Sequence, residues 1–508
     1  HLAVNPTDAD DVIMGSVTAK RSKDGGISWT SLREPELLHV DLHDMKWQPG
    51  TNRLFIANDG GLEYVNDDGI HVLTQGIRVG QFAEMSSSPH GELIIGGMQD
   101  CGTRIKLPNG RWTFVAGGDG MTGLIDPVTE RSFYASAQLG WTIKGEFSEN
   151  QLEYWDGLLF SDQEQQKATW ETLIRMHPFK NNVLYIPFED LFISEDFGRS
   201  FNKTSLSHLN FLYPPSILEI SESDPSFMYI SDGRSIAKSE DGGSTWSKVQ
   251  DEFYISSLTI DHENPSKIWT SGWEISESIN GGQTFRSLRS FFPNSWKSYV
   301  VHQPGSLDGI YALADGEIGY LDDNLNNWID YSNNLPNTSF NSSDIDIITS
   351  IGKIRISTWG RGIWESDLFS NSPEFAKRIP KPPVLNHIDC GSKIEMSIMS
   401  NEDFDEVHWY KNDEFVAATT EHFFTSSDPG KWGARIINGA QKSYLSETAT
   451  FDLNQEELIG PDFVCEGSVH HFYIATPEDS SETYWNVPEG WEQNSLDQTS
   501  IGVIINSD

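Results

Sequence analysis

Apolar positions along the first 370 residues fall into short β-rich runs, without the 3.6-residue spacing of a helix. Arg53-Leu-Phe-Ile-Ala57, Leu93-Ile-Ile-Gly96, Phe133-Tyr-Ala135, Val183-Leu-Tyr-Ile186, Phe227-Met-Tyr-Ile230, Lys267-Ile-Trp-Thr270 and Lys353-Ile-Arg-Ile356 are rich in β-branched and aromatic residues. Each is too short for a helix and bounded by turn residues, so each predicts a strand. Several follow an x-Pro turn, at Asn5-Pro6, Asp126-Pro127, Asp224-Pro225 and Asn264-Pro265, which delivers an extended chain into the strand. No helical signal interrupts the series.

The strands are organised around a repeated turn. Ser239-Glu-Asp-Gly-Gly-Ser-Thr-Trp246 has three further copies, at Ser22 to Trp29, Ser194 to Phe201 and Ser278 to Phe285, with Asp24, Asp196, Asp241 and Asn280 in the same slot. The short acidic or amide side chain of that slot folds back onto backbone N–H groups of its own turn. Gly26, Gly198, Gly243 and Gly282 supply the left-handed step, and the closing aromatic opens the next strand and packs between sheets. These clasps read as structural. Worn copies fill the gaps at Asp67-Asp-Gly69, at Asn109-Gly110 with Trp112, at Asp323 with Trp328, and at Ser366. The slots then run in steps of 43 and 42, one double step of 87, and 45, 39, 43 and 43, the double step hiding a unit near Gly145. Nine units of about 43 residues are the period of propeller blades.

The clasps resemble the Asp-boxes (BNR repeats) of sialidase-like, sortilin-like and xyloglucanase-like β-propellers. The predicted fold is therefore all-β: a propeller region over residues 1–370, then β-sandwich modules. Four polar knots stand out against it: His39-Val-Asp-Leu-His43, Asn58-Asp-Gly-Gly61, Gly96-Gly-Met-Gln-Asp-Cys-Gly102 and Gly117-Gly-Asp-Gly120. With Gln138-Leu-Gly140 and Thr358-Trp-Gly-Arg-Gly-Ile-Trp364, they resemble a family of large secreted propeller proteins of Bacteroidetes, described as glycosyl-hydrolase-like or sortilin-like. That resemblance implies further blades ahead of His1 and two rings of about seven. It also implies a ligand-binding upper face, and export by the type IX secretion system through a C-terminal sorting domain. Cys101 departs from it, standing where the family tends to carry Asn.

Beyond Ser372 the composition shifts. Residues 371–383, with Arg378-Ile-Pro-Lys-Pro-Pro383, form a stiff Pro-rich linker. Residues 384–455 resemble an Ig-like domain, with Lys393–Ile398, Val407–Asn412 and Asp428–Arg435 as its strands B, C and F and Trp409 as its core tryptophan. Apolar residues near Met396 and Ala434 replace the disulfide of that family, so packing alone must hold the sandwich. Residues 456–508 read as a partial PKD-like or Ig-like module.

Charge narrows the partners. With 35 Lys plus Arg against 75 Asp plus Glu the net charge is −40, which repels nucleic acid and anionic lipid. No apolar run reaches the ~20 residues of a membrane helix. His1 to Pro6 reads as the middle of a blade, so the natural N-terminus is expected upstream. Cys101, Cys390 and Cys465 are too few and too far apart for a disulfide framework. The expected setting is extracellular, secreted or on the cell surface, with a polysaccharide or protein ligand and with secretion or surface-anchoring machinery as partners.

For the chemistry, His39, Asp41 and His43 alternate, which on one strand would aim two imidazoles and a carboxylate at a metal or into a polar plug. Asp41, Asp59, Asp100 and Asp119 are candidate catalytic carboxylates, since a glycosidase needs an acid and a base or nucleophile across the scissile bond. Glycine-flanked aspartates equally build turns or bind Ca2+. His39, His43, Gln99, Gln138, Trp141, Trp359 and Arg361 are candidate binding residues, the tryptophans stacking on sugar rings. Sialidase activity is discounted because the Arg-Ile-Pro signature of those enzymes occurs here only in the linker. Three functions stay open: a secreted adhesion or binding protein, a xyloglucanase-like endo-glycosidase, and a sortilin-like peptide-binding propeller.

Overall fold

The computed structural model describes residues 1–32, 38–74, 76, 79–148, 151–157, 160, 162–165, 167–251, 253–288, 298–335, 342–370, 380–389, 393–439, 441–446, 448–451, 469–473, 491–495 and 500–505. The chain divides into two units, 1–372 and 373–508. Among the described residues one α-helical turn, Asp162–Gln165, and three 3-10 turns, Gln138–Gly140, Ser207–Leu209 and Thr349–Ile351, accompany the strands.

The first unit is a β-propeller built from nine antiparallel sheets. Called blades 1 to 9, they span residues 2–31, 42–72, 82–116, 120–157, 175–204, 217–250, 255–287, 299–330 and 342–367. Blades 1 to 8 have four strands in sequence order; blade 9 has three described strands. The worn copy at Ser366 is therefore no turn, because Ser366 lies inside the strand Gly362–Asp367. The unit hidden in the double step is blade 4, with Gly145 in its third strand, Thr142–Ser148.

Apolar packing shows how the blades group. Distinct buried cores join blades 3 and 4 (Ile95, Phe133), 4 and 5 (Tyr134, Leu184), and 5 and 6 (Leu191, Met228). Others join 6 and 7 (Tyr229, Ile268), 7 and 8 (Trp269, Ile310), and 8 and 9 (Tyr311, Ile354). Another joins blades 1 and 2 through Ile13 and Leu54. Among the described residues no core bridges blade 2 to blade 3. Blade 9 instead returns to blade 3: Asp344 accepts the Met85 N–H at 3.0 Å and Asp346 the Ser87 N–H at 2.7 Å. Arg355, buried, donates to Ser87 Oγ at 2.8 Å and to the Gly91 carbonyl at 2.7 Å. Blades 3 to 9 thus close a ring of seven around a cavity of about 660 Å3, lined by the innermost strand of every one of them.

The clasps follow one plan. At the third, Ser239 donates to Asp241 (2.8 Å) and accepts the Gly243 N–H (2.9 Å), while Asp241 accepts the Thr245 N–H (2.8 Å) and hydroxyl (2.6 Å). The buried Trp246 ties its indole to the Gly243 carbonyl at 3.0 Å. Asp24, Asp196 and Asn280 repeat the pattern. All four clasps join third to fourth strands. Because strands alternate in direction, the turns between second and third strands, and the links between blades, emerge on the opposite face, called here the upper face.

In the second unit Val384–Asp389, Ile394–Met399 and Phe423–Ser426 form one sheet. Glu406–Lys411, Glu414–Thr419, Gly430–Asn438, Gln441–Lys442 and Ala449–Phe451 form a second. They share a core in which Trp409 and Trp432 are completely buried beside Met396 and Ala434. The Trp432 indole donates to the Asp428 carbonyl at 3.1 Å. Val469–Tyr473, Ser500–Ile505 and Trp491–Ser495 make a further sheet. Cys390, Cys465 and most of the Pro-rich linker lie outside the described residues.

Candidate functional site

The polar knots meet on the upper face at the seam between blade 2 and the ring. Asn58–Gly61 turns between the second and third strands of blade 2, and Gln99–Cys101 makes the equivalent turn of blade 3. Asp119 ends the link into blade 4, and Gln138–Gly140 is the next turn on. Two glycines let them close up. A Cβ on Gly97 would lie 2.0 Å from the Met121 carbonyl oxygen, and one on Gly60 would strike the His39 ring at 2.6 Å.

Hydrogen bonds then run from blade to blade. The Asp100 N–H donates to Asp119 Oδ1 at 2.9 Å, and the Asp119 N–H to Gln138 Oε1 at 2.7 Å. The Gln138 N–H returns to the Asp119 carbonyl at 3.1 Å, as the Gln99 N–H does to the Gln81 carbonyl at 3.0 Å. His39 Nε2 donates to the Asp100 carbonyl at 2.9 Å, and His43 Nε2 pairs with Asp59 Oδ1. Cys101 Sγ reaches the Asp59 carbonyl at 3.5 Å. The blade 9 turn joins as well: Trp359 bridges to Gln81, and the Gly360 N–H donates to the Gly80 carbonyl at 2.9 Å. Arg361 and Trp141 are exposed beside their turns.

Burial raises the Asp100 carboxyl above the ordinary carboxylate range, and the charges of Asp59, Asp119 and Asp41 push it further while His39 opposes them. The other three aspartates therefore all act on Asp100. Behind them Glu63 is buried and raised by burial, partly offset by an Asn58 amide that donates to it at 3.0 Å. Burial also raises the Cys101 thiol, which opposes thiolate formation.

The alternation that aligned His39, Asp41 and His43 on one strand is interrupted at Asp41. Asp41 has a φ of 59° and precedes the strand Leu42–Trp47, so the three do not share a strand face. Among the described residues the group of three whose ligand atoms lie within 4.8 Å of one another is Asp261, His302 and Asp308; neither the histidine trio nor Asp59, Asp100 and Asp119 converges on a shared Ca2+ or other ion in that way. That other group is internally satisfied. His302, lowered to about 4 by burial, accepts the His262 N–H on Nδ1 at 3.3 Å, so the neutral ring carries its proton on Nε2, facing Asp261. Lys267 holds Asp308 at 2.6 Å.

Sequence reasoning did not single out Gln81, whose backbone joins two of these turns, nor Glu63, nor the charged wall of the ring cavity. In that wall Arg175 donates to Glu84 at 2.8 Å and stands 3.9 Å from Glu219, with Asp344 opposite. A carboxylate set between apolar residues of an innermost strand, as Glu84 is between Ala83 and Met85 in Phe82–Ser87, is the signal that points to it.

No protein-family model and no curated protein matches the sequence. Among solved structures the chain is similar to virginiamycin B lyase from Staphylococcus aureus, with 12% identity, 57% of this chain and 95% of that chain covered, and a TM-score of 0.44. It is similar to YCF48 from Cyanidioschyzon merolae (12%, 58% and 96% covered, TM-score 0.41) and to the GH74 enzyme of Niastella koreensis (10%, 90% and 82%, TM-score 0.28). These likenesses carry no function across. The chain's own sheets establish what it is structurally, a β-propeller protein with a second all-β unit.

Proposed function

We propose that this chain is an extracellular binding protein: a propeller head, carried on Ig-like modules, that takes a polysaccharide or protein ligand on its upper face at the seam. The observation that carries this reading is the commitment of the seam carboxylates. Asp119 Oδ1 is held by the Asp100 N–H and Asp59 Oδ1 by His43, so two of the four candidate acids already anchor turns. What remains outward is a rigid surface of His43, Gln99, Trp141 and Arg361, suited to recognition. Secretion through the type IX route and an adhesive role belong to the same reading.

One observation favours a second reading, an endo-glycosidase. Asp100 is raised by burial and by neighbouring carboxylates, the environment that keeps a general acid protonated while a partner stays ionised. Reducing-end release from a panel of plant and algal polysaccharides separates the two. Turnover abolished by Asp59→Asn or Asp119→Asn establishes the enzyme. Binding without turnover, weakened by Arg361→Ala, supports the binding protein, and the absence of both refutes it.

A further inference from the structure

The upper face of the ring carries exposed aromatics well beyond the seam. Among the described residues of the first unit, six Trp and Tyr side chains are exposed: Trp112, Trp141, Trp170, Tyr213, Tyr254 and Trp273. Trp112 lies on the outermost strand of blade 3. The other five all belong to blade links or to the turns between second and third strands, so all five stand on the upper face. A face chosen at random would not collect them; among the described residues the clasp side exposes only Trp112, beside the worn clasp Asn109-Gly110.

These rings are held in place. Tyr254 sits between two backbone bonds, Phe253 N–H to the Arg234 carbonyl at 2.8 Å and Ile255 N–H to the Gly233 carbonyl at 3.0 Å. Trp273 meets it at 5.8 Å between ring centres and is 64% exposed. The loop bearing Tyr213 is pinned by the Leu212 N–H on Asp232 at 2.8 Å. Rigid aromatics of this kind offer contact area at small entropic cost. Tyr254 also lines the central cavity, whose wall carries Glu84, Glu171, Glu219 and Asp344 against Arg175. Carboxylates there accept hydrogen bonds from hydroxyl pairs, and their sign excludes sulfated or uronic chains.

We propose that the cavity mouth over blades 5 to 7 binds a neutral polysaccharide, its sugar rings stacked on Tyr254 and Trp273 and its hydroxyls turned toward the carboxylate wall. This site is separate from the seam and does not rest on the function proposed for it. The experiment is affinity electrophoresis of the full chain through gels containing hydroxyethyl cellulose, glucomannan or xyloglucan, with heparin and oligolysine as charged comparators and circular dichroism to confirm folding. At least one neutral chain should retard the protein. Tyr254→Ala and Trp273→Ala should each weaken that retardation about tenfold, the loss of one aromatic stack. Trp112→Ala, on the outermost strand of blade 3, should leave it unchanged. Retardation by none of the neutral chains overturns the proposal. So does a folded Tyr254→Ala/Trp273→Ala double variant that binds within twofold of the parent, and so does aromatic-dependent binding of oligolysine or heparin in place of the neutral chains.

Discussion

Replacing Arg355 by alanine should open the ring where blade 9 meets blade 3. Its guanidinium gives one bond to Ser87 Oγ and one to the Gly91 carbonyl, both across the closure, and a third to Glu365 within its own sheet. Hydrogen bonds from a charged donor contribute about 1.5–3 kcal/mol each, so the two crossing bonds are worth about 3–6 kcal/mol. The Glu365 pair is half exposed on its acidic side and adds under about 1 kcal/mol. Lys353→Ala is the control, since Lys353 pairs with the exposed Asp367 on the same sheet and should cost less than about 1 kcal/mol. Urea unfolding followed by tryptophan fluorescence reads both. With a slope of roughly 3 kcal/mol/M for a unit of this size, Arg355→Ala should lower the propeller midpoint by about 1–2 M. A shift no larger than that of Lys353→Ala would mean that blade 9 does not close the ring on blade 3.

Gly97→Ala should cost more than about 3 kcal/mol or prevent folding, because its Cβ would fall 2.0 Å from a backbone oxygen that cannot retreat without parting blades 3 and 4; expression level and thermal midpoint check it. Trp409→Ala should cost about 3–5 kcal/mol in the second unit and leave the propeller transition where it is, as separate unfolding transitions would record. Below pH 4 the clasps should fail: hydrogen bonds from Ser28 and Ser200 hold Asp24 and Asp196 at about 2. Their folded values lie below the unfolded ones, so their contribution is present above about pH 4 and is lost as pH falls toward 2. Glu219 runs the other way. Burial raises it to about 7, so stability should fall as pH rises from about 4.5 to 7, and Glu219→Gln should flatten that slope in thermal melts.

Much of the architecture is legible in the sequence because each blade writes its own turn chemistry locally. Ser22-x-Asp24 and its three full copies mark third-to-fourth-strand turns, and Asp67 and Asn109 mark two more, at Asn66–Gly69 and before Trp112. The grouping of blades is not local. Ring closure joins Met85 to Asp344 across 259 residues, and nothing near either position announces it. The seam is half legible. Glycine beside Asp59 and Asp119, and two positions past Asp100, accompanies turns there, yet alternation misleads at His39 and Asp41, because the left-handed Asp41 breaks the strand that alternation assumes. The buried Glu63 gives no signal of its role, since its partners Asn58 and His39 come from other turns. Exposure is also unwritten: Trp269 and Trp273 lie four positions apart, one in a core and one on the upper face.

A designed disulfide tests the seven-blade ring most directly. Gln81 and Trp359 are antiparallel bridge partners across the closure, a pairing that sets Cα atoms about 4.5–5.5 Å apart, within the reach of a disulfide. In a background with Cys101, Cys390 and Cys465 each replaced by serine, Gln81→Cys with Trp359→Cys should oxidise nearly completely and intramolecularly. A gel shift reversed by reductant, and a cross-linked peptide in the mass spectrum, would record it. Two cysteines that stay reduced under mild oxidation in a folded protein would contradict the ring.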